Sequence, residues 1–457
     1  IYKYFLSIFE ENKSENLVKD IENYLLENFQ KNWSCYDLHN SLFLGPEEIR
    51  TCCKRFFDEG KMKGDVVLTK NDFTIENILN QKKRIFSEIN QGKSEECNNC
   101  PFLEFKKWDK INDLKIEHMS IEYHSVCNMK CIYCSDTYYG NKKPIYDIEL
   151  FIDDIIKNHS LKECKSIVWG GGEPTLDKSF NLLFNKINSK FKNVKQKVIT
   201  NSTIFIEDLY TAISNNEITI TTSIDAGTPE NFSQIRNSNK FFQVLENLKK
   251  YSFKCPENVT IKYILMEENS SIEELDSFIH YIHQYKLEKN KFQISFNFKI
   301  NKIDSKYISL AIYLYSKLKK IGTSLIFLDD LFLQRIKIES EKTYIEIFQS
   351  LEKLHCNDLL FDYKKFPEII IWGAGNTTKD LLNNSFALKQ TKVLYLVDNN
   401  QEKIGNFLLN HEIKDPSSLL KDDTPVYIAG YENYFKIYNQ YIKLGLDIKN
   451  IIKGIIL

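Results

Sequence analysis

No apolar run in the 457-residue sequence approaches the roughly 20 residues that a membrane-spanning helix needs. The opening residues Ile1-Tyr2-Lys3-Tyr4-Phe5-Leu6 lack the form of a secretory signal, so a cytoplasmic setting is expected. Net charge of one sign is missing as well. Lys and Arg number 61 against 62 for Asp and Glu, which leaves none of the global positive field that draws a protein to nucleic acid. With no secretion signal, the 11 cysteines argue against a disulfide scaffold and for metal or cofactor chemistry in reducing surroundings. Hydrophobic residues make up 42% of the chain, enough for a sizeable core, and the length exceeds what one core supports, so about two to four domains are expected.

The chain turns on Cys127-Asn128-Met129-Lys130-Cys131-Ile132-Tyr133-Cys134, a C-x3-C-x2-C loop directly after the strand-like run His118–Tyr123. Three thiolates in so short a loop can hold three irons of a four-iron four-sulfur cluster and leave the fourth open. An open iron is a coordination site for a substrate or cosubstrate; a zinc site is the competing reading of the same cysteines.

Other polar groups fall at the ends of the strand candidates that follow. Trp169-Gly170-Gly171-Gly172-Glu173-Pro174-Thr175 comes after the second, where glycines let backbone approach a ligand and present its amides, and the Glu173 carboxylate can accept from an ammonium. Thr200-Asn201-Ser202 ends the third, and Ser223 and Asp225 share one face at the end of the fourth by the two-residue strand period.

With Tyr133 between the last two cysteines and a Gly-Gly-Glu-Pro run after the next strand, this segment resembles the radical S-adenosylmethionine (radical SAM) family. The resemblance implies a 4Fe–4S cluster on Cys127, Cys131 and Cys134, with S-adenosylmethionine held through its amino and carboxylate groups on the open iron. It places Tyr133 against the adenine and Gly171, Gly172 and Glu173 at the methionine amino group. Asn201, Ser223 and Asp225 become further cosubstrate contacts, and Arg236 matches a residue that often follows in SPASM-type members. One electron, from a donor such as flavodoxin or ferredoxin, would cleave the sulfonium to a 5′-deoxyadenosyl radical that takes hydrogen from a substrate.

From about 115 to 300, short β-branched runs alternate with amphipathic ones, the pattern of a parallel α/β sheet with catalytic groups at strand C-termini. Strands are expected at Ile116–Tyr123, Ser166–Trp169, Lys197–Thr200, Ile218–Ile224, Val259–Met266 and Phe292–Phe298; helices at Ile148–Asn158, Phe180–Lys190, Phe241–Tyr251 and Ile272–Gln284. With the resemblance, the fold expected is a partial (β/α)6 barrel over 115–300. It would be preceded by a winged-helix-like module (1–80) and a linker (81–114), and followed by a helical extension (301–362) and a Rossmann-like domain (363–457).

The winged-helix expectation rests on helices over 16–29, 36–43 and 46–57, with Gly45 and Pro46 as stop and start. The third carries Glu47, Glu48, Asp58 and Glu59 beside Arg50, Lys54 and Arg55, a poor phosphate binder. Cys35, Cys52 and Cys53 read as small buried side chains. In the linker, Cys97-Asn98-Asn99-Cys100 is either half of an auxiliary iron–sulfur site, with Cys164, Cys255 and Cys356 as the spare cysteines to complete it, or a reduced pair. In the last domain, Gly373-Ala374-Gly375 follows the strand Glu368–Trp372, and Asp398 ends a second strand where an NAD ribose would be gripped, but Thr378 replaces the third glycine of that fingerprint. The domain resembles modules of sugar and polysaccharide biosynthesis, so a sugar or nucleotide-sugar substrate is expected. The alternatives are a peptide or protein maturase using an auxiliary cluster and, outside enzymes, a DNA-binding iron–sulfur redox sensor.

Overall fold

The structure, a computed structural model, describes residues 31–58, 61–134, 140–300, 303–328, 335–336, 338, 340–429 and 433–457. The helix expected over 16–29 lies outside them. The chain divides into two compact units, the first containing residues up to Asn128 and Ser135–Ile199, the second Met129–Cys134 and Thr200–Leu457.

The first unit opens with β1 (Lys31–Ser34), α1 (Tyr36–Asn40), β2 (Ser41–Leu44), β3 (Ile49–Arg50), β4 (Arg55–Asp58), β5 (Lys61–Gly64), β6 (Val67–Thr69), α2 (Ile75–Asn90) and β7 (Glu104–Lys107). It continues with β8 (His118–Ile121), α3 (Ile148–Lys157), β9 (Ser166–Trp169), α4 (Lys178–Lys190) and β10 (Lys195–Ile199). β10, β9, β8 and β2 pair in that order, all parallel, and β3 and β6 extend the sheet antiparallel. Local sequence explains the crossover helices. Asp147 caps α3 and Asp177 caps α4 by accepting from Leu150 N and Ser179 N. Helical spacing then turns Phe180, Leu183, Phe184 and Ile187 inward, and Trp169 of β9 meets Phe180 edge-on at 5.4 Å.

The second unit holds α5 (Glu207–Ser214), β11 (Ile218–Ser223), α6 (Pro229–Arg236), α7 (Phe241–Tyr251), β12 (Val259–Leu265), α8 (Ile272–Gln284), β13 (Lys291–Phe296), α9 (Ser305–Lys320), β14 (Ile326–Leu328) and α10 (Glu341–Lys353). β11, β12, β13 and β14 form a parallel array. In β12 the two-residue period buries Val259, Ile261, Tyr263 and Leu265 and leaves the residues between them half-buried. There follow β15 (Glu368–Trp372), α11 (Asn376–Asn384), α12 (Phe386–Lys389), β16 (Lys392–Val397), β17 (Phe407–Leu408), β18 (His411–Lys414), β19 (Val426–Ile428) and α13 (Tyr434–Lys443). β18, β16, β15 and β19 lie parallel in that order, with β17 antiparallel on the β18 edge.

The alternating elements expected between 115 and 300 are present within about two residues at most ends. The N-terminal expectation fails. Residues 46–57 are not a helix: β3 and β4 occupy them, and β2 replaces the end of the helix expected over 36–43. The apolar spacing of Ile49, Cys52, Cys53 and Phe56 mimics a helical face, but β2 finds an open parallel edge on β8, pairing Ser41 with His118 through Leu44 with Ile121. Arg50 is then buried between Glu48 at 2.6 Å and Asp65 at 3.1 Å, far from the solvated recognition helix that a DNA reader needs.

Candidate active site

In the first unit the cysteine loop leaves β8 through Glu122, Tyr123, His124, Ser125 and Val126. The Gly170–Glu173 turn continues the β8–β9 ladder alongside it. Gly170 N donates to Ile121 O at 3.0 Å, Gly172 N to His124 O at 3.0 Å and Glu173 N to Val126 O at 2.8 Å. The glycines are there because two backbones touch: a Cβ on Gly171, whose φ is +99°, would come within 2.4 Å of His124 O, and one on Gly172 within 2.1 Å of Val126 O. This departs from the sequence reading, since the amides of Gly172 and Glu173 already donate to the cysteine loop. Glu173 is fully buried, and its Oε1 accepts from Thr175 N at 3.2 Å and Thr175 Oγ1 at 2.6 Å. Beyond the loop, Lys142 N donates to Ser125 Oγ, and Ser125 N donates to Lys142 O, both at 2.9 Å. Asn141 Oδ1 accepts from Cys127 N at 3.4 Å. The root of Cys127 is thereby held on two sides.

Glu122, at the foot of the same loop, was not singled out by sequence. Burial pushes its carboxyl up to about 7, with Ser120 as its nearest donor at 3.3 Å. A folded-state value above the unfolded one means that the stability is fully present below the unfolded value of 4.5 and is lost as pH rises through about 7. We predict that the free energy of unfolding falls between those pH values by about 3 kcal/mol for this group and that Glu122→Gln flattens the slope, as measured by denaturant titration across the range. An unchanged slope in the variant would assign the dependence elsewhere.

In the second unit the other end of the cysteine loop is fastened to α6. Lys130 N donates to Arg236 O at 3.3 Å, Ile132 N to Ile235 O at 2.9 Å, and Lys299 Nζ reaches Ile132 O at 2.7 Å. Thr228 and Pro229 start α6, and Asn237 in the left-handed region ends it, so Arg236 falls in its last turn. The Tyr133 hydroxyl donates to Asp225 Oδ2 at 2.6 Å, Arg236 Nη1 donates to the same oxygen at 2.9 Å, and Arg236 Nη1 also contacts the Tyr133 hydroxyl. Asp225 Oδ1 accepts from Ile264 N at 2.8 Å. Burial pushes the Asp225 carboxyl up, against the pull of Arg236, Tyr133 and the Ile264 amide.

The structure therefore brings Tyr133, Asp225 and Arg236 together, but as a buried brace: the Asp225 oxygens expected to meet the cosubstrate are engaged inside the protein. Ser223 ends β11 half-buried. Asn201 Oδ1 accepts from Thr203 N at 3.0 Å and Thr203 Oγ1 at 2.7 Å, which shapes the turn after β10. Sequence reasoning missed Asn269, which holds Asp225 O and Ile264 O at 2.9 and 2.8 Å, and Glu274, which accepts from Gly227 N and Thr228 N. The sequence signal for Asn269 was the Met266-Glu267-Glu268-Asn269 run after β12, and for Glu274 the Ser271-Ile272-Glu273-Glu274 start of α8.

Farther along, Trp372, Gly373, Ala374, Thr377, Asp398 and Lys403 help line a 310 Å³ pocket. Asp398 Oδ1 accepts from Asn400 N at 2.9 Å, and its Oδ2 from Ala374 N at 2.8 Å and Lys403 Nζ at 3.4 Å; together they pull its carboxyl below the ordinary range against the effect of burial. Thr378, at the missing-glycine position, donates its hydroxyl to Gly373 O.

Residues 121–282 match the Radical SAM superfamily, and residues 365–452 match the family described as C2185-like, N-terminal. Similar curated proteins include a GTP 3',8-cyclase of Clostridium botulinum (strain Okra / Type B1), 23% identical over 175 residues, covering 37% of this chain and 54% of its own length. A probable dual-specificity RNA methyltransferase RlmN of Natranaerobius thermophilus is 27% identical over 162 residues, covering 32% of this chain and 45% of its own. The chain thus spans about half the length of these relatives. Among solved structures, Streptococcus suis SuiB bound to precursor peptide SuiA covers 55% of this chain and 62% of its own at 16% identity and a TM-score of 0.37, too low to bear on function. No described helix is long and apolar enough to cross a membrane. Residues 121–282 are thus similar to the Radical SAM superfamily, and that similarity supports an enzyme with a 4Fe–4S cluster and S-adenosylmethionine as its cofactors.

Proposed function

We propose that this enzyme reductively cleaves S-adenosylmethionine and abstracts hydrogen from a bound substrate. The observation that carries the reading is the anchored cysteine loop. Cys127, Cys131 and Cys134 form no disulfide and are each half-buried, on a backbone pinned by Asn141 at one end and by Arg236 O and Ile235 O at the other. A soft thiolate set of this kind fits an iron–sulfur cluster. These three cysteines would hold it, and its open iron would supply the electron and the seat for the cosubstrate.

The chain's own residues support that chemistry by position. Tyr133, fixed by Asp225, prevents the Cys131–Cys134 turn from rotating, and Lys299 on Ile132 O adds a second restraint. The Gly170–Glu173 turn keeps the root of Cys127 in strand register. Glu173, Asn201 and Ser223 stand at strand ends, where a parallel sheet presents ligands.

Two substrate classes suit this chemistry. A nucleotide sugar is favoured by the 310 Å³ pocket behind Gly373–Gly375, whose rim carries Lys403 and Lys436 for phosphate. With Asp398 bound to Ala374 N and Lys403, the ribose grip of the dinucleotide fingerprint is not what recommends that pocket. A peptide substrate suits the same radical chemistry and does not need the pocket.

Anaerobic reconstitution followed by reduction tests both levels. We expect 5′-deoxyadenosine and methionine from the wild type, none from a Cys127, Cys131, Cys134→Ala control, and stimulation by the true substrate class when nucleotide sugars and peptides are compared. A fully loaded, reduced enzyme that makes no 5′-deoxyadenosine with either class would defeat the proposal.

A further inference from the structure

We propose that Cys35, Cys52, Cys97 and Cys100 bind a second 4Fe–4S cluster, each thiolate closing one iron. All four line a single apolar cavity in the first unit, together with Asp37, Lys54, Ile85 and Phe102. Three separate segments deliver them. Cys35 is the N-cap of α1, its Sγ accepting from Leu38 N at 3.4 Å. Cys52 follows β3, where Thr51 N donates to Val66 O at 2.9 Å and Thr51 Oγ1 to Asp37 O at 3.1 Å. Cys97 and Cys100 close a turn in which Cys100 N donates to Cys97 O at 3.1 Å and Asn99 takes a φ of +60°.

These positions correct two sequence readings. Cys35 and Cys52 are half-buried and gathered at the cavity, while Cys53 is exposed, so none of the three is a fully buried filler. Cys164 donates to Ser166 O at 3.7 Å, Cys255 donates to Ser214 O at 3.5 Å, and neither they nor Cys356 line the cavity. The pair at 97 and 100 is completed by cysteines that precede it in sequence.

Among the described residues, no group of three or more His, Cys, Asp or Glu side chains is close enough to hold one metal ion. Thiols that share a cavity without converging on a point suit a polynuclear cluster better than a zinc ion, because each ligates its own iron at a corner of a cube. The cavity holds about 20 Å³, so the side chains that line it must move apart to admit the cluster.

Charges of both signs surround the thiols. Lys54, Asp37 and Glu96 line the cavity, and the fully buried Lys82 lies within electrostatic reach of Cys35 and Cys52 while donating to Leu38 O at 3.0 Å and Ser41 O at 2.8 Å. With all four irons closed by protein, this cluster has no seat for a cosubstrate, which separates it chemically from the Cys127–Cys134 loop.

The test uses the full chain with Cys127, Cys131 and Cys134 changed to Ala, reconstituted anaerobically with iron and sulfide. About four irons per chain and the visible absorption of an iron–sulfur chromophore are expected. Adding Cys35→Ala or Cys52→Ala should lower the iron at least about twofold, whereas Cys53→Ala and Cys164→Ala should leave it unchanged. A protein that takes up no iron, one that binds a single zinc in its place, or full loading of the Cys35→Ala and Cys52→Ala variants would overturn the assignment. Alkylation mapping needs no further substitution and so survives a misfolding variant. In the loaded protein Cys35, Cys52, Cys97 and Cys100 should react at least about tenfold more slowly than in the metal-free protein, with Cys53 unaffected. Protection of a different set would refute the ligand assignment.

Discussion

Asp225→Ala should be among the most damaging single substitutions in the second unit, lowering stability by about 3–5 kcal/mol. Its carboxylate is fully buried and pairs at 2.9 Å with Arg236, itself only 5% exposed. Removing Asp225 takes the carboxylate from a buried guanidinium in a medium that solvates it poorly, and the Ile264 amide and the Tyr133 hydroxyl lose that acceptor in the same step. The damage is functional because Tyr133 is the side chain that ties the Cys131–Cys134 turn to β11 and α6. Chemical denaturation should show the loss, and the variant should retain less iron on the cysteine loop than wild type after desalting. Asp225→Asn keeps an acceptor for the Ile264 amide and should lose less. Tyr133→Phe removes the hydroxyl's contacts with Asp225 and Arg236 and should cost about 1.5–3 kcal/mol. A stability change below about 0.5 kcal/mol for Asp225→Ala, the level of an ordinary surface substitution, would show that the brace does not hold this unit together.

Gly172→Ala is the counterpart in the first unit. Its Cβ would stand 2.1 Å from Val126 O and 2.5 Å from Ser125 C, both backbone atoms that cannot swing away as a side-chain tip would. Relief requires moving the β9 turn off the cysteine loop, which breaks the Gly172 N–His124 O and Glu173 N–Val126 O bonds of 3.0 and 2.8 Å. Overpacking of this kind costs about 3 kcal/mol. The first consequence should be poor iron retention by Cys127, because the displaced backbone is its root. Gly375→Ala is the control: a Cβ there meets nothing within 4 Å, so its stability should remain near wild type. Equal iron loading of wild type and Gly172→Ala would show that the cysteine loop tolerates the shift.

Much of this protein was legible in its sequence because the signals were local. A short β-branched run marked β12, and amphipathic runs marked α4 and α7, whereas the caps Asp177 and Ser271 were recognised only in the structure. The C-x3-C-x2-C loop was equally legible, since ligand spacing within eight residues requires no knowledge of the rest of the chain. The same local reasoning failed over 46–57, where the apolar spacing fitted a helix but an open parallel edge on β8 drew β2 into a sheet that β3 and β6 then extended.

The chain by itself thus determined the alternating α/β core, the three cysteines of its central loop and the glycine-rich turn after the next strand. Tertiary structure alone decided how those parts are used. It turned Asp225 and Arg236 into a brace for Tyr133, engaged the Gly172 and Glu173 amides against the loop, and brought Cys35 and Cys52 to the cavity that Cys97 and Cys100 share. Periodicity and motif spacing report which neighbours along the chain share a face, whereas a buried ion pair, a backbone-to-backbone contact and a four-thiol cavity depend on segments tens of residues apart being packed together.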